Sequence, residues 1–193
     1  MTKARLEAFS DGVIAILITI MVLELHVPHE PTLHALAPVL PIFLTYVLSY
    51  ILLGVYWNNH HHLMHAADRI NGKVLWANLH LLFWLSLVPF VTGWMGQNHF
   101  AALPTAAYGM VMTLAGVAYY ILAHTLLAAQ GPDSRLARAL GRDRKGQISV
   151  ALFALGVAMA FVNHWIADAI YVGVTLIWLI PDRRIEPAKP AHA

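Results

Sequence analysis

The sequence predicts an all-α, polytopic membrane protein with six transmembrane helices and both termini in the cytoplasm. Three observations predict this class: the composition, six apolar stretches of spanning length, and a one-sided distribution of basic residues. Of the 193 residues, 59% are hydrophobic and 11% are charged, and the mean hydropathy is +0.63. A soluble domain carries about 45–50% apolar and about 25% charged residues. A chain this short cannot hide so much apolar surface in one core, so its solvent is lipid. The sequence pI near 9.0 does not indicate a nucleic-acid partner, because the basic residues sit between apolar runs and form no clustered basic face. There is no cysteine, hence no disulfide framework, thiol nucleophile or cysteine metal site.

Six apolar stretches can be drawn at residues 4–25, 38–61, 74–94, 105–128, 147–163 and 165–180. Each approaches the roughly 20 residues needed to cross about 30 Å of hydrocarbon. The first does not read as a secretory signal, since it holds Asp11 and Glu24, lacks a clear small-residue cleavage site and is followed by further spans. Helices are the expected solution because lipid leaves backbone groups unpaired, and the alternation of a membrane β-barrel is absent. Residues 1–185 read as one six-helix transmembrane domain and 186–193 as a short disordered cytoplasmic tail. Trp57, Trp76, Trp94, Trp165 and Trp178 fall near the predicted span ends, where interfacial anchors belong.

Charge placement fixes the count. Lys3 and Arg5 stand at the start of the first span, and Arg69 and Lys73 lie between the second and third. Arg135, Arg138, Arg142, Arg144 and Lys145 lie between the fourth and fifth, and Arg183, Arg184 and Lys189 follow the sixth. All twelve basic residues therefore fall on one side of a six-span arrangement, with only Glu30 and Asp168 as acids opposite. The positive-inside rule makes that side cytoplasmic. Five or seven spans would break the separation.

Ionisable groups inside a span are costly and mark functional positions. The first stretch holds Arg5, Glu7, Asp11 and Glu24; Asp11 is the deepest of these and adjoins Ser10. A rotation of 100° per residue puts Ile16, Ile20 and Leu23 on one stripe with Thr19 at its edge, while Asp11 points away. Two readings fit this pattern. One is a lipid-facing or core stripe with a polar clasp behind it; the other is a pore whose narrowest part is a ring of Ile and Leu, gated by dewetting.

The segment Arg5-Leu-Glu-Ala-Phe9-Ser10-Asp11-Gly-Val-Ile-Ala-Ile16, followed by Thr19, Val22-Leu-Glu24-Leu-His-Val-Pro28, Trp57-Asn-Asn-His60-His61, Trp76-Ala-Asn78 and Pro89-Phe90, resembles bacterial homologues of transmembrane protein 175, the endolysosomal potassium channel family. The distinctive motifs cover the first three spans; the last three match in general character. The resemblance implies a potassium-permeable channel in the bacterial inner membrane, a homotetramer of single six-helix repeats with the first helix of each subunit lining a central pore. It implies that Ile16 forms a hydrophobic constriction, that Ile20 and Leu23 add apolar layers, and that Thr19 supplies a hydroxyl. It further implies that Arg5, Phe9, Ser10, Asp11, Trp57, His60, His61 and Asn78 pack and hydrogen-bond to hold the pore helix. The family lacks the usual potassium-channel filter loop, and no Thr-Val-Gly-Tyr-Gly occurs here; Tyr171-Val-Gly-Val lies inside a predicted span. Selection would rest on pore width, partial dehydration and the Thr19 hydroxyl.

The twelve histidines are densest at His60, His61, His62 and His65. His61 and His65 are one helical turn apart, but no carboxylate set accompanies them in a zinc-site pattern, so no metal or other cofactor is expected. Histidine titrates near neutral pH, which makes proton modulation a reading to weigh. His80 and His124 could face each other across helices, yet nothing marks them as haem ligands. No nucleophile–base pair or cofactor loop supports an enzyme. The alternative to a channel is a membrane carrier or metal-handling protein using the His60–His65 cluster and Asp11, although the internal inverted repeats of carriers are not visible.

Overall fold

The computed structural model describes residues 2–131, 134, 136–137 and 143–179. The predicted tail at 186–193 and the six basic residues at 135, 138, 142, 183, 184 and 189 lie outside them. Among the described residues the chain is helical throughout, without strands. We label the α-helices α1 (Lys3–Ile20), α2 (Leu40–Ala66), α3 (Gly72–Ser86), α4 (Val88–Gln97), α5 (Ala102–Gln130), α6 (Arg144–Ala160) and α7 (His164–Leu179). Short 3-10 turns extend α1 through Met21–Glu24 and precede α2 at His34–Val39.

Local chemistry explains several boundaries. The Asn71 side chain accepts a hydrogen bond from the Val74 N–H at 3.0 Å and starts α3, and Asp143 accepts from the Gly146 N–H at 2.9 Å and starts α6; both are N-cap contacts. Gly131 ends α5 at φ 90°, a conformation that glycine adopts without a Cβ penalty. Gln130, in the last turn of α5, accepts from the Asp68 and Arg69 N–H groups at 2.9 and 3.1 Å and donates to the Arg69 carbonyl at 2.6 Å. One side chain thus satisfies the loop between α2 and α3.

Four helical segments are long and apolar enough to cross a membrane: Lys3–Glu24, His34–Ala66, Gly72–Gln97 and Ala102–Gln130. The predicted third span at 74–94 differs in one respect: the structure divides it into α3 and α4 at Leu87. Pro89 lacks the N–H that would bond to the carbonyl of Leu85, and its ring disfavours a continuous helix. The Leu87 N–H turns instead to the Trp84 carbonyl at 3.2 Å, and Ser86 donates to Phe83.

The helices form two flanks. α1 packs against α2, α3 and α4 on one side; α6 and α7 pair with each other and pack against α5, with α7 also reaching α2. Tyr171 of α7 joins the second flank. Its ring lies 5.4 Å from Phe153 of α6 and 5.7 Å from Tyr108 of α5, centroid to centroid, and its hydroxyl donates to the Thr105 carbonyl at 3.2 Å. Gly109 and Gly156 make room for that ring, because a Cβ on either would collide with it. Between the flanks, Ser49 of α2 bonds to Thr92 of α4 at 2.7 Å and to the Tyr108 hydroxyl at 3.1 Å, all buried. Large apolar side chains such as Phe83, Phe90, Phe161 and Leu176 are exposed, as suits helices in lipid.

Gly156→Val should therefore cost about 1–3 kcal/mol through overpacking against Tyr171, read as a lowered thermal midpoint in detergent. Gly54, with no atom within 4 Å of its would-be Cβ, is the control: Gly54→Ala should be neutral or stabilising by up to about 1 kcal/mol.

Candidate pore helix and its clasps

The buried stripe of α1 and its 3-10 extension is Leu6, Ser10, Ile14, Leu17 and Met21, spaced three or four residues apart. Polar partners reach this helix at three points. At the first, a chain of groups runs from α2 through α3 to α1. His60 Nε2 lies 2.8 Å from Asn78 Oδ1, Asn78 Nδ2 donates to Ser10 Oγ at 2.9 Å, and the Ser10 hydroxyl donates to the Leu6 carbonyl at 2.8 Å. Asn78 and Ser10 are fully buried and His60 is 1% exposed. The direction of the chain puts the proton on Nε2 of His60, since Asn78 must use its carbonyl there.

At the second point, the Trp57 indole N–H donates to Asp11 Oδ1 at 3.0 Å. Trp57 stands in α2, and its indole is tied to the acid beside Ser10 while its ring stays exposed. His61 stacks on Trp57 and on His65, with centroids 6.1 and 6.3 Å apart. The four neighbouring histidines consequently diverge: His60 faces Asn78 within the bundle, while His61 and His65 are exposed. At the third point, Gln97 Nε2 donates to Glu24 Oε2 at 3.0 Å. The Glu24 carboxylate lies against Gly93 of α4, where a Cβ would come to 3.0 Å from it.

Arg5 and Phe9 stand apart from these contacts. Both are exposed on α1, and among the described residues neither makes a hydrogen bond, ion pair or ring contact. The Glu24–Gln97 bond and the Ser49–Thr92–Tyr108 cluster went unrecognised in the sequence. A polar residue at the end of one apolar run and another at the end of a second was the available signal for the first. Nothing in spacing alone pairs Ser49 with Thr92.

The remaining face of α1 is open. Ile16 is 59% exposed, Ile20 39% and Leu23 77%, with Thr19 exposed between them. At 100° per residue, the direction midway between Ser10 and Asp11 is about 180° from the centre of these four residues. The two clasps thus flank the back of the open face, each about 130° from its centre. The Thr19 hydroxyl donates to the carbonyls of Ala15 and Ile16, both at 3.0 Å. With its proton used within the helix, the hydroxyl oxygen keeps its lone pairs as acceptor sites.

Comparison with known proteins settles the family. The family described as endosomal/lysosomal potassium channel TMEM175 matches residues 5–89. The chain is 52% identical over 186 residues to a potassium channel of Chryseobacterium sp. (strain P1-3), covering 96% of this chain and 97% of that one. The chain belongs to the TMEM175 family. It is also 32% identical over 177 residues to a potassium channel of Streptomyces collinus, covering 83% and 84% of the two chains. The crystal structure of a lysosomal potassium-selective channel TMEM175 homologue from Chamaesiphon minutus shares its fold, with a TM-score of 0.81 and 24% identity over 92% of this chain and 96% of that one.

The buried chain of hydrogen bonds makes a thermodynamic prediction. Ser10→Ala leaves the Asn78 amide without its acceptor and should cost about 1–3 kcal/mol, whereas Trp57→Phe at the less buried Asp11 contact should cost less. Thermal melts of the purified protein check both, and a Ser10→Ala, Asn78→Leu double variant should lose less than the sum of its parts.

Proposed function

We propose that this TMEM175-family chain is one subunit of a potassium-permeable channel in which α1 of four copies surrounds the ion path. The observation that carries the reading is the open apolar face of α1, directed away from polar clasps that hold the helix from behind. That it is a potassium channel rests on its close relatives, and that it is a multi-pass membrane protein rests on its apolar helices. Six spans with both termini inside accord with the placement of every basic residue on one side of the chain. α6 and α7 supply the last two spans, with about 26 and 24 Å of helix among the described residues.

In this arrangement Ile16 forms the constriction, and Ile20 and Leu23 continue an apolar lining toward the end where Glu24 is held. A narrow ring of Ile side chains disfavours water, so an ion must shed part of its hydration to pass. Thr19 stands one turn from the ring with lone pairs available and partly replaces the lost water. No carbonyl cage takes part, so discrimination between potassium and sodium is less sharp than in channels with a filter loop. His60 and Asn78 act behind the pore wall and do not touch the ion.

The test is a planar-bilayer recording of the purified protein with potassium on one side and sodium on the other. Unitary steps with a reversal potential displaced toward potassium are expected; smooth, saturable, coupled uptake would show a carrier instead. Ile16→Asn should raise conductance and reduce selectivity, and Thr19→Val should lower selectivity while leaving the fold intact. Unchanged currents in Ile16→Asn would remove α1 from the ion path.

A further inference from the structure

On the flank away from α1, helices α2, α5, α6 and α7 line a partly open cavity of about 270 Å³. Its wall is mainly apolar, with Leu52, Val55, Met112, Val117, Val150 and Phe153 among the lining side chains. Such a volume lies just below the range of roughly 300–1,000 Å³ typical of small-molecule sites, and its lining has their character. Polar groups reach it from few places. The Tyr56 hydroxyl lines the cavity and forms no hydrogen bond among the described residues. The neighbouring Tyr119 hydroxyl is occupied, donating to the Asn59 carbonyl at 3.2 Å.

The start of α6 and the end of α7 form the rim. Asp143, Gly146, Gln147 and Ser149, from the first turns of α6, line the cavity, as does Trp178 of α7. Lys145 Nζ stands 4.5 Å from the centroid of the Trp178 ring, and Arg144 beside it is exposed. Asp143 is the opposing charge, and its carboxylate accepts from the Gly146 N–H. The N-terminal end of α6 adds a partial positive charge.

We propose that this cavity binds the acyl chain of an anionic phospholipid, with the headgroup phosphate held at the rim by Arg144 and Lys145. An apolar slot topped by cations and an indole complements a lipid in which an anionic head joins an apolar tail. The unpartnered Tyr56 hydroxyl can donate to the ester carbonyl region of the same molecule. The site lies behind α2 and α5 as seen from α1, so its occupant braces the outer flank without entering the ion path.

Native mass spectrometry of the detergent-purified oligomer, titrated separately with phosphatidylglycerol and phosphatidylcholine, tests the assignment without any flux measurement. The expected result is about one tightly retained phosphatidylglycerol per chain, preferred over phosphatidylcholine by at least about fivefold. Val117→Phe, which fills the slot, should abolish that retention. The double variant Arg144→Gln, Lys145→Gln should keep lipid binding but lose the headgroup preference, and it stands as an independent test should Val117→Phe fold poorly. Equal retention of both lipids by the unmodified protein, or an unchanged preference in the double variant, would overturn the proposal. A change in oligomer size on Val117→Phe with no change in lipid count would assign this face to contact between copies of the chain, and would overturn it equally.

Discussion

The hydrogen-bonded chain from His60 through Asn78 to Ser10 is the constraint on which the rest of the molecule depends. In lipid, a polar side chain on a spanning helix either finds a protein partner or carries a desolvation cost of several kcal/mol. Ser10 finds its partner on α3, and Asn78 finds its second partner on α2. The three helices are thereby held in register, because sliding or turning α1 by a single residue would carry Ser10 Oγ away and leave the buried Asn78 amide without its acceptor. Apolar packing alone would not do this, since lipid tails are as good a neighbour for Leu6 or Ile14 as another helix is.

Asp11 adds the second coordinate. It is one residue, or 100° of rotation, from Ser10, and its partner Trp57 is on α2 while that of Ser10 is on α3. Two bonds to two different helices, separated by that angle, determine the orientation of α1 about its own axis. The side opposite both is then the side bearing Ile16, Thr19, Ile20 and Leu23. A motif that contributes no atom to the open face therefore decides which atoms are on it.

Much of this was legible in the sequence, for reasons that are physical. The spans are visible because lipid demands continuous apolar length, and the open face of α1 is visible because helical rotation is fixed. Ser10 and Asp11 stand out because a polar group in an apolar run needs a reason. The partners are harder to read. Asn78 and Trp57 came from family resemblance, not from spacing; the same resemblance grouped Arg5 and Phe9 with them, two exposed residues that make no hydrogen bond, ion pair or ring contact among the described residues. Glu24–Gln97 stayed hidden because its two residues are far apart in sequence and each, alone, looks like an ordinary interfacial polar group.

The broken third span links these observations. A straight helix crossing α1 at an angle diverges from it on both sides of the crossing, so it can clasp α1 closely at only one depth. Pro89 ends that restriction by dividing the span at Leu87. α3 carries Asn78 to Ser10 near the start of α1, while α4 carries Gln97 and the Gly93 notch to Glu24 at its far end. Each half makes its own bond to α1, and α4 is itself tied back to α2 and α5 through Thr92, Ser49 and Tyr108. The apolar stretch between Ser10 and Glu24 is consequently held at both ends by bonds from one broken span, and it is in that stretch that Ile16, Thr19, Ile20 and Leu23 stand. A face with no bond to another helix keeps a defined position when its ends are pinned, and the two halves of the span divided at Leu87 pin both.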